Sequence, residues 1–350
     1  MIYYARKRRE DKKMRKCFSS LSRKVAVSLL SMLALVAFSG AAFSQDYPTK
    51  AITAVVGMEP GGIVDVATRV LVDEAKRLVG QDILVENKPG ASHMVAGSYV
   101  ISSKPDGYIL WSSTDAPFVR MPHMMKLKFD PIAETTPIIF YGVFTHFILV
   151  PADSPFKTLK DLLMFAKENP GKLTFGNPGF GMVPHMAVAG MEIETGLKVS
   201  HVPFAGEAKE IAALLGGHLM AAGIAIESSI SQVKAGKLRA LGILQGEERV
   251  SAFPDIPTLK EAAKEFGMKT AVSYPGLMVS GPKGLPEPVV KKLVTVFDTA
   301  RKSAAFQKYA KETYIFQDKM PVTGEALRDQ LNRGYKETGD LVQKLGIQKK

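Results

Sequence analysis

From Lys50 onward the chain alternates short apolar runs with segments of helical periodicity. "AITAVVG" (51–57) reads as a buried strand, and the stretch from Gly61 to Leu78 reads as a helix. In that helix Ile63, Val66, Ala67, Val70, Leu71, Ala75 and Leu78 recur at spacings of three and four, which predicts one apolar face. Asp65 falls in its first turn, Lys76 and Arg77 fall in its last, and Gly80 stops it. A strand "DILVEN", a glycine turn "KPGAS", a helix from about His93 to Ser103, a turn "KPDG" and a strand "YILWSS" follow. Strands alternating with helices in this way predict a parallel sheet covered by helices. In such sheets ligands bind beyond the carboxyl ends of the strands. Gly57–Gly62, Pro89–His93 and Ser112–Asp115 are predicted to lie there.

A second cycle begins after "PIIFYGVFTHFILVP" (137–151), an apolar stretch containing His146 that predicts one long strand crossing between two lobes. "TLKDLLMFAKENPGK" predicts a helix with Thr158 as N-cap. "LTFGNPGFGMVPHMAVAGMEIETG" repeats the first pattern of strand, glycine loop and helix. The strand "KVSHVPF", the helix "AKEIAALLGG", the apolar "LMAAGIAI", the helix "SISQVKAGK" and the strand "LRALGIL" come next. Near Ala271 the chain returns, with "VSYPGLMVSGP" as a second crossing strand and helices from Pro286 to the end. The expected division is a signal peptide at 1–44, a first lobe of 46–147 with 271–350, and a second lobe of 148–270.

Charge and cysteine change the picture mainly at the start of the chain. The formal net charge is +12, but the first 24 residues carry ten Lys or Arg against Glu10 and Asp11. Only +4 remains for the rest, so a nucleic-acid partner is not expected. The apolar run Val25–Phe38 is too short to span a bilayer comfortably, and "SGAAFSQ" follows it. Together these predict a signal peptide cut after Ser44 and a periplasmic protein, whose true start is Met1 or Met14. The single cysteine, Cys17, precedes the apolar run, so the mature chain would lack a thiolate nucleophile and disulfides. The six histidines fall in no HxxxH or HxH spacing, and neither a metal nor a cofactor is expected.

The candidate chemistry sits in the two glycine loops. A helix that opens on glycine presents unpaired N–H groups and a positive dipole end to an anion. Gly61 and Gly62 open the first helix, and the segment from Asn177 through Phe180, Gly181 and Met182 opens its counterpart. "GFGMVP" begins like a dinucleotide fingerprint, but Pro184 stands where the third glycine belongs. Glu59 either meets an ammonium group on the ligand or is a solvated loop carboxylate. Asp65 either accepts a ligand hydrogen bond or complements the helix dipole, and both are compatible. His93 either donates to a carboxylate or merely starts a helix, and Ser113 and Thr114 either touch ligand or form an ordinary turn. For His185, on a helical stripe with Met182, Val188 and Ala189, packing or loop bracing is the expected job.

The segments "YPTKAITAVVGMEPGGIVD", "ENKPGAS", "SSKPDGYIL", "NPGKLTFGNPGFG", "HVPFAG", "AGKLRALGIL" and "FPDIPTLKEA" occur in this order along nearly the whole mature chain. In this the sequence resembles the periplasmic substrate-binding proteins of tripartite tricarboxylate transporters, the Bug family. The resemblance implies a type II periplasmic-binding-protein fold of two α/β lobes joined by two crossing strands. It also implies a small organic acid held in the cleft by one glycine loop from each lobe, and delivery of that ligand to a membrane permease. The family's first loop matches at Pro60, Gly61, Gly62 and Asp65, and its second matches at Gly179, Gly181 and His185.

Three departures alter the expected pocket. Ser92 and His93 stand where the family often carries glycine, Met182 replaces a loop serine, and Phe204 with Ala205 replaces an aromatic-basic pair. With Phe180, these residues imply a more apolar pocket suited to an aromatic or otherwise apolar monoacid. The expected protein is a monomeric receptor without catalysis. The alternatives are a ligand sensor presenting to a membrane kinase and a periplasmic enzyme, against which stands the lack of a GxSxG elbow or a metal cluster.

Overall fold

The computed structural model describes residues 47–179, 181–204, 206–272, 275–316, 323–344 and 346. The signal segment with Cys17, together with Phe180, Ala205, Ser273 and Tyr274, lies outside the described residues. The chain divides into two units, Met1–Thr49 and Lys50–Lys350, and the fold below is that of the second.

Its elements begin with β1 (Ile52–Val56), α1 (Ile63–Val79), β2 (Ile83–Asn87), α2 (Met94–Ile101) and β3 (Ile109–Thr114). Short helices α3 (Ala116–Val119) and α4 (Met121–Met124) lead to β4 (Thr135–Val143) and β5 (His146–Pro151). The second cycle comprises α5 (Leu159–Glu168), β6 (Leu173–Asn177), α6 (Val183–Thr195), β7 (Val199–Pro203), α7 (Glu207–Leu215), β8 (Ala221–Ala225), α8 (Ile226–Lys234) and β9 (Leu238–Ile243). The chain then runs through α9 (Leu259–Ala263), β10 (Gly276–Pro282), α10 (Glu287–Arg301), α11 (Ala304–Glu312) and α12 (Gly324–Lys344).

Two five-stranded sheets result, ordered β2-β1-β3-β10-β4 and β7-β6-β8-β5-β9. In the first, β1 runs parallel to β2 and β3, while β10 is antiparallel to β3 and β4. In the second, β6 runs parallel to β7 and β8, while β5 is antiparallel to β8 and β9. The two sheets are thus built alike: three parallel strands from a local strand-helix repeat, then an antiparallel strand, then an edge. This is the two-lobed α/β architecture that the alternating pattern predicts.

The expected single strand over 137–151 is two strands. β4 belongs to the first sheet and β5 to the second, and the break at Phe144–Thr145 lets one apolar run serve both lobes. The expected strand 272–282 is regular only from Gly276, and β10 lies wholly in the first sheet. The fully buried Gln245 bridges Val272 of the second crossing through its backbone and holds the first crossing through its side chain. Its Oε1 accepts from the Thr145 hydroxyl and from the His146 N–H at 3.0 Å, and its Nε2 bonds His146 Nδ1 at 2.6 Å.

Local signals explain most element ends. Thr158 caps α5 with a capping box, accepting from the Asp161 N–H at 3.2 Å while the Thr158 N–H donates to Asp161 Oδ2 at 2.9 Å. Gly80 closes α1 in the left-handed conformation, its N–H bonding Lys76 O. The buried face of α1 is rotated from the apolar stripe. Ala67, Leu71 and Ala75 are inside as expected, but Val64, Asp65, Thr68 and Val72 join them while Leu78 is 44% exposed. Polar bonding sets this rotation: Thr68 Oγ1 lies 2.7 Å from Ser112 Oγ on β3, and Asp65 is buried for the reason given below. The fully buried Trp111 centres one core cluster, and Gly97 is required beside it because a Cβ there would meet the indole at 2.5 Å.

Candidate functional site

The first strand of each parallel unit ends in a glycine loop that opens a helix, and the two loops are constructed alike. In the first, Gly61 takes φ +87° and its N–H donates to Asp65 Oδ2 at 2.9 Å, four residues on. In the second, Gly181 takes φ +78° and its N–H donates to His185 Nδ1 at 3.1 Å, again four residues on. Both N-caps, Gly62 and Met182, lack a side-chain capping bond. The first-turn N–H groups of α1 and α6 therefore have no capping side chain to satisfy them, which leaves an electropositive end in each lobe. Both glycines need their left-handed backbone, which other residues adopt at a cost.

Asp65 is the anchor of the first loop. Its Oδ2 also accepts from Arg69 Nε at 3.0 Å, and its Oδ1 accepts from Arg69 Nη2 and Asn87 Nδ2, each at 2.9 Å. Asn87 Nδ2 donates in addition to Met58 O at 3.0 Å, so one amide ties the loop to the end of β2. Burial opposes ionisation of Asp65, but the bonds from Arg69, the Gly61 N–H and Asn87 outweigh it and hold the carboxyl below its ordinary range. The carboxylate that could have met a ligand is committed to holding the loop. His185 performs the same job without charge: burial, then the neighbouring His201, pushes it down to about 4 against the pull of Glu192. The bracing role expected of His185 is the one observed. Glu59, Pro60 and Gly61 are exposed on the first loop.

The turn before α2 is unusual. Gly90, Ala91, Ser92 and His93 have φ values of +128°, +45°, +51° and +74°, three of them on residues with side chains. The residues standing where the family carries glycine thus keep a glycine conformation, which costs about 1 kcal/mol or more at each. Replacing Ala91 by glycine is expected to raise unfolding free energy by about 1 kcal/mol, read from urea denaturation. The strain places His93 under the first loop: a Cβ on Gly57 would lie 2.7 Å from His93 Cβ and 2.8 Å from its Nδ1. His93 is 4% exposed, its Nε2 lies 3.4 Å from Thr114 Oγ1, and its Nδ1 has no partner. Burial, then the charge of Arg120, pushes it down to about 4, so the ring is neutral.

The other predicted site residues separate into two groups. Ser113 and Thr114 are buried at the end of β3 rather than in a turn, and Ser113 Oγ has no partner. Asn177 ends β6 fully buried, with Oδ1 accepting from the Gly179 N–H at 3.0 Å and Nδ2 unpartnered. Met182 is 36% exposed. Phe204 is partly buried against the second lobe's core, which reduces what it can offer a pocket.

Two features escaped sequence reasoning. The first is a buried arginine: Arg120, between α3 and α4, is 7% exposed and bonds Asp115 Oδ1 through Nη2 at 3.1 Å. Nothing in the sequence around it signals that this charged residue is buried. From the same segment Met124 lies against Gly181, which brings the second loop up to the first lobe. The second is a set of carboxyls in lobe two. Glu207 Oε1 accepts from the Ala225 N–H at 3.0 Å, while Glu210 and Glu227 have buried oxygens without partners. Burial, then the charge of Glu207, pushes Glu210 up to about 9 and Glu227 up to about 8. Among the described residues no group of three His, Cys, Asp or Glu is placed to hold a metal, and no helix is long and apolar enough to cross a membrane.

Known proteins are similar to this chain in sequence and in fold. Residues 67–346 match the family described as TctC, tripartite tricarboxylate transporter family receptor. A Cupriavidus necator protein named UPF0065 protein in gbd 5'region is 35% identical over 280 residues, covering 80% of this chain and 83% of that protein. A UPF0065 protein of Bordetella pertussis is 31% identical over 333 residues, covering 94% of this chain and 98% of that protein. The crystal structure of a TctC solute-binding protein from Polaromonas superposes with a TM-score of 0.71 at 28% identity, over 85% of this chain and 99% of that one. The family is one of transporter receptors, and the Polaromonas protein is a solute-binding protein rather than an enzyme. With the family match extending over most of the chain and the two-lobed fold in agreement, this protein belongs to the tripartite tricarboxylate transporter receptor family, the Bug proteins that its sequence resembles.

Proposed function

We propose that the protein is a periplasmic receptor that captures a small organic acid between its lobes and hands it to a membrane permease of the tripartite tricarboxylate type. The carrying observation is the paired loop: in each lobe a left-handed glycine donates its N–H to the side chain four residues on, just before a helix N-terminus with no capping side chain. Such an end attracts a carboxylate through backbone N–H groups and the helix dipole. The braces fix each loop in advance, so little ordering is lost on binding. Closure of the lobes then excludes water and strengthens the bonds. The family description supports delivery to a permease.

Calorimetric titration of the purified protein with mono-, di- and tricarboxylates and amino acids tests this reading. At least one acid is expected to bind with micromolar or better affinity, at a single site per chain. The absence of binding by every acid, or turnover of one, would contradict it. Co-purification with a permease subunit tests delivery separately.

A further inference from the structure

We infer that Glu192 and His201 are positioning residues for ligand capture: acting through His185, they hold the second glycine loop in the form that presents its N–H groups. The inference rests on the reading of the glycine loops as the grip on a carboxylate. The braces of the two loops are fixed differently. Asp65 is a charged brace tied down by Arg69 and Asn87. His185 is a neutral one, and its Nδ1 accepts the Gly181 N–H only while that nitrogen carries no proton. The second loop therefore depends on whatever fixes this ring and keeps it neutral.

Both requirements are met from α6 and β7. Glu192 follows His185 by seven residues on α6, two turns along the same face. Its carboxylate reaches the edge strand of the second sheet, where Oε1 accepts from the Val199 N–H at 2.7 Å and Oε2 bonds His201 Nε2 at 2.9 Å. His201 Nδ1 is buried without a partner, so among the described residues the Glu192 bond is what orients that ring. His201 in turn stands steeply against His185, with ring centroids 5.0 Å apart and planes at 64°. Contact thus runs from Glu192 through His201 and His185 to the Gly181 N–H. Charge follows the same line: burial, then the charge of His201, keeps a proton off His185 against the pull of Glu192. Among the described residues, the elements packed on α6 bring no other charge to His185. β8 has no titratable residue, while Lys260 and Glu261 of α9 pair with Glu247 and Arg249. Glu194 of α6 bonds Lys269 and Thr270, and Lys344 of α12 acts on it rather than on His185.

The test joins hydrogen exchange at the Gly181 amide to calorimetric titration of malate, aspartate, benzoate and nicotinate, the tightest of the four serving as probe. At pH 7 the native protein is expected to protect the Gly181 amide and to carry the His185 ring proton on Nε2, read from side-chain nitrogen chemical shifts. His201→Ala is expected to speed Gly181 exchange about tenfold and to weaken probe binding about fivefold. Its deficit relative to the native protein should grow by about a further tenfold between pH 7 and pH 5, because His185 without its charged neighbour titrates nearer its ordinary value. Glu192→Ala should repeat the losses at pH 7, and the double variant should lose no more than His201→Ala, since the two residues act in series. Additive losses, or a deficit that does not change with pH, would reduce the pair to a staple between α6 and the sheet edge and overturn the proposal. A native His185 protonated on Nδ1, or an unprotected Gly181 amide, overturns it even if no variant folds. Failure of all four acids to bind the native protein would instead remove the glycine-loop reading, and the Gly181 exchange rates would still decide whether Glu192 and His201 hold the loop.

Discussion

Replacing Glu210 with glutamine is expected to raise the melting temperature at pH 8.5 by roughly 5–10 °C, while leaving it nearly unchanged at pH 4.5. Glu210 sits on α7 with no exposed surface, its side chain in contact range of Gly176 on β6, and neither carboxyl oxygen has a hydrogen-bond partner. Burial and the nearby Glu207 push its pKa from 4.5 up to about 9. The folded state therefore holds a proton there that the unfolded chain releases above about pH 4.5. A raised folded pKa gives stability that is fully present below the unfolded value and is lost as pH climbs through the folded one. At 1.36 kcal/mol for each pH unit, the loss by pH 8.5 reaches about 5 kcal/mol as an upper figure. Glutamine has the shape of the protonated acid and no proton to release, so it removes the alkaline loss.

The histidines act with the opposite sign. His93, His146 and His185 are pushed down to about 4, 3 and 4, so the folded state holds them neutral where the unfolded chain would bind protons. Their contribution is present above about pH 6.5 and is lost as pH falls toward 4. With Glu210 and Glu227 weakening the protein on the alkaline side, stability is expected to crest near pH 6–6.5 and to decline in both directions. Melting curves from pH 4 to 9 for the native chain and Glu210→Gln check both arms. A flat alkaline arm in the native protein would contradict the account of the buried carboxyls.

Asp65→Ala carries the second large effect: about 3 kcal/mol of stability and at least a tenfold loss of ligand affinity. The substitution strips the acceptor from the Gly61 N–H, from Asn87 Nδ2 and from both bonded nitrogens of Arg69. Arg69 is half exposed and rehydrates, which keeps the loss below that of a fully buried ion pair. The Gly61 loop does not rehydrate so usefully, because its N–H groups are then aimed by nothing, and binding must supply the ordering. Asp65→Asn, which keeps one carbonyl for Gly61, should fall between the two. Denaturant titration and calorimetry together check this. A loss of stability without any loss of affinity would mean that the loop does not hold ligand.

Legibility in the sequence divided along a physical line. Periodicity and glycine stops placed both strand-helix repeats, because local propensity and burial agree there, as in β1, α1 and the Thr158-capped α5. The apolar run 137–151 misled because a strand buried on both faces looks continuous, and nothing in its hydrophobicity marks the passage from one sheet to the other at Phe144–Thr145. In the site, the two glycines and the bracing role of His185 were visible. The fully bonded state of Asp65 was not, since three of its four bonds depend on Arg69 and Asn87 folding over it. Arg120 and Glu210 were silent for a simpler reason: charged residues are read as exposed by default, and only the folded chain shows that these two are not.

The central claim is that a carboxylate is held by backbone N–H groups from both glycine loops, and a crystal structure with the tightest acid bound tests it most directly. The account predicts a carboxylate oxygen within about 2.7–3.2 Å of main-chain nitrogens in both 61–65 and 181–185. An acid bound elsewhere, or held by one loop alone, would contradict it.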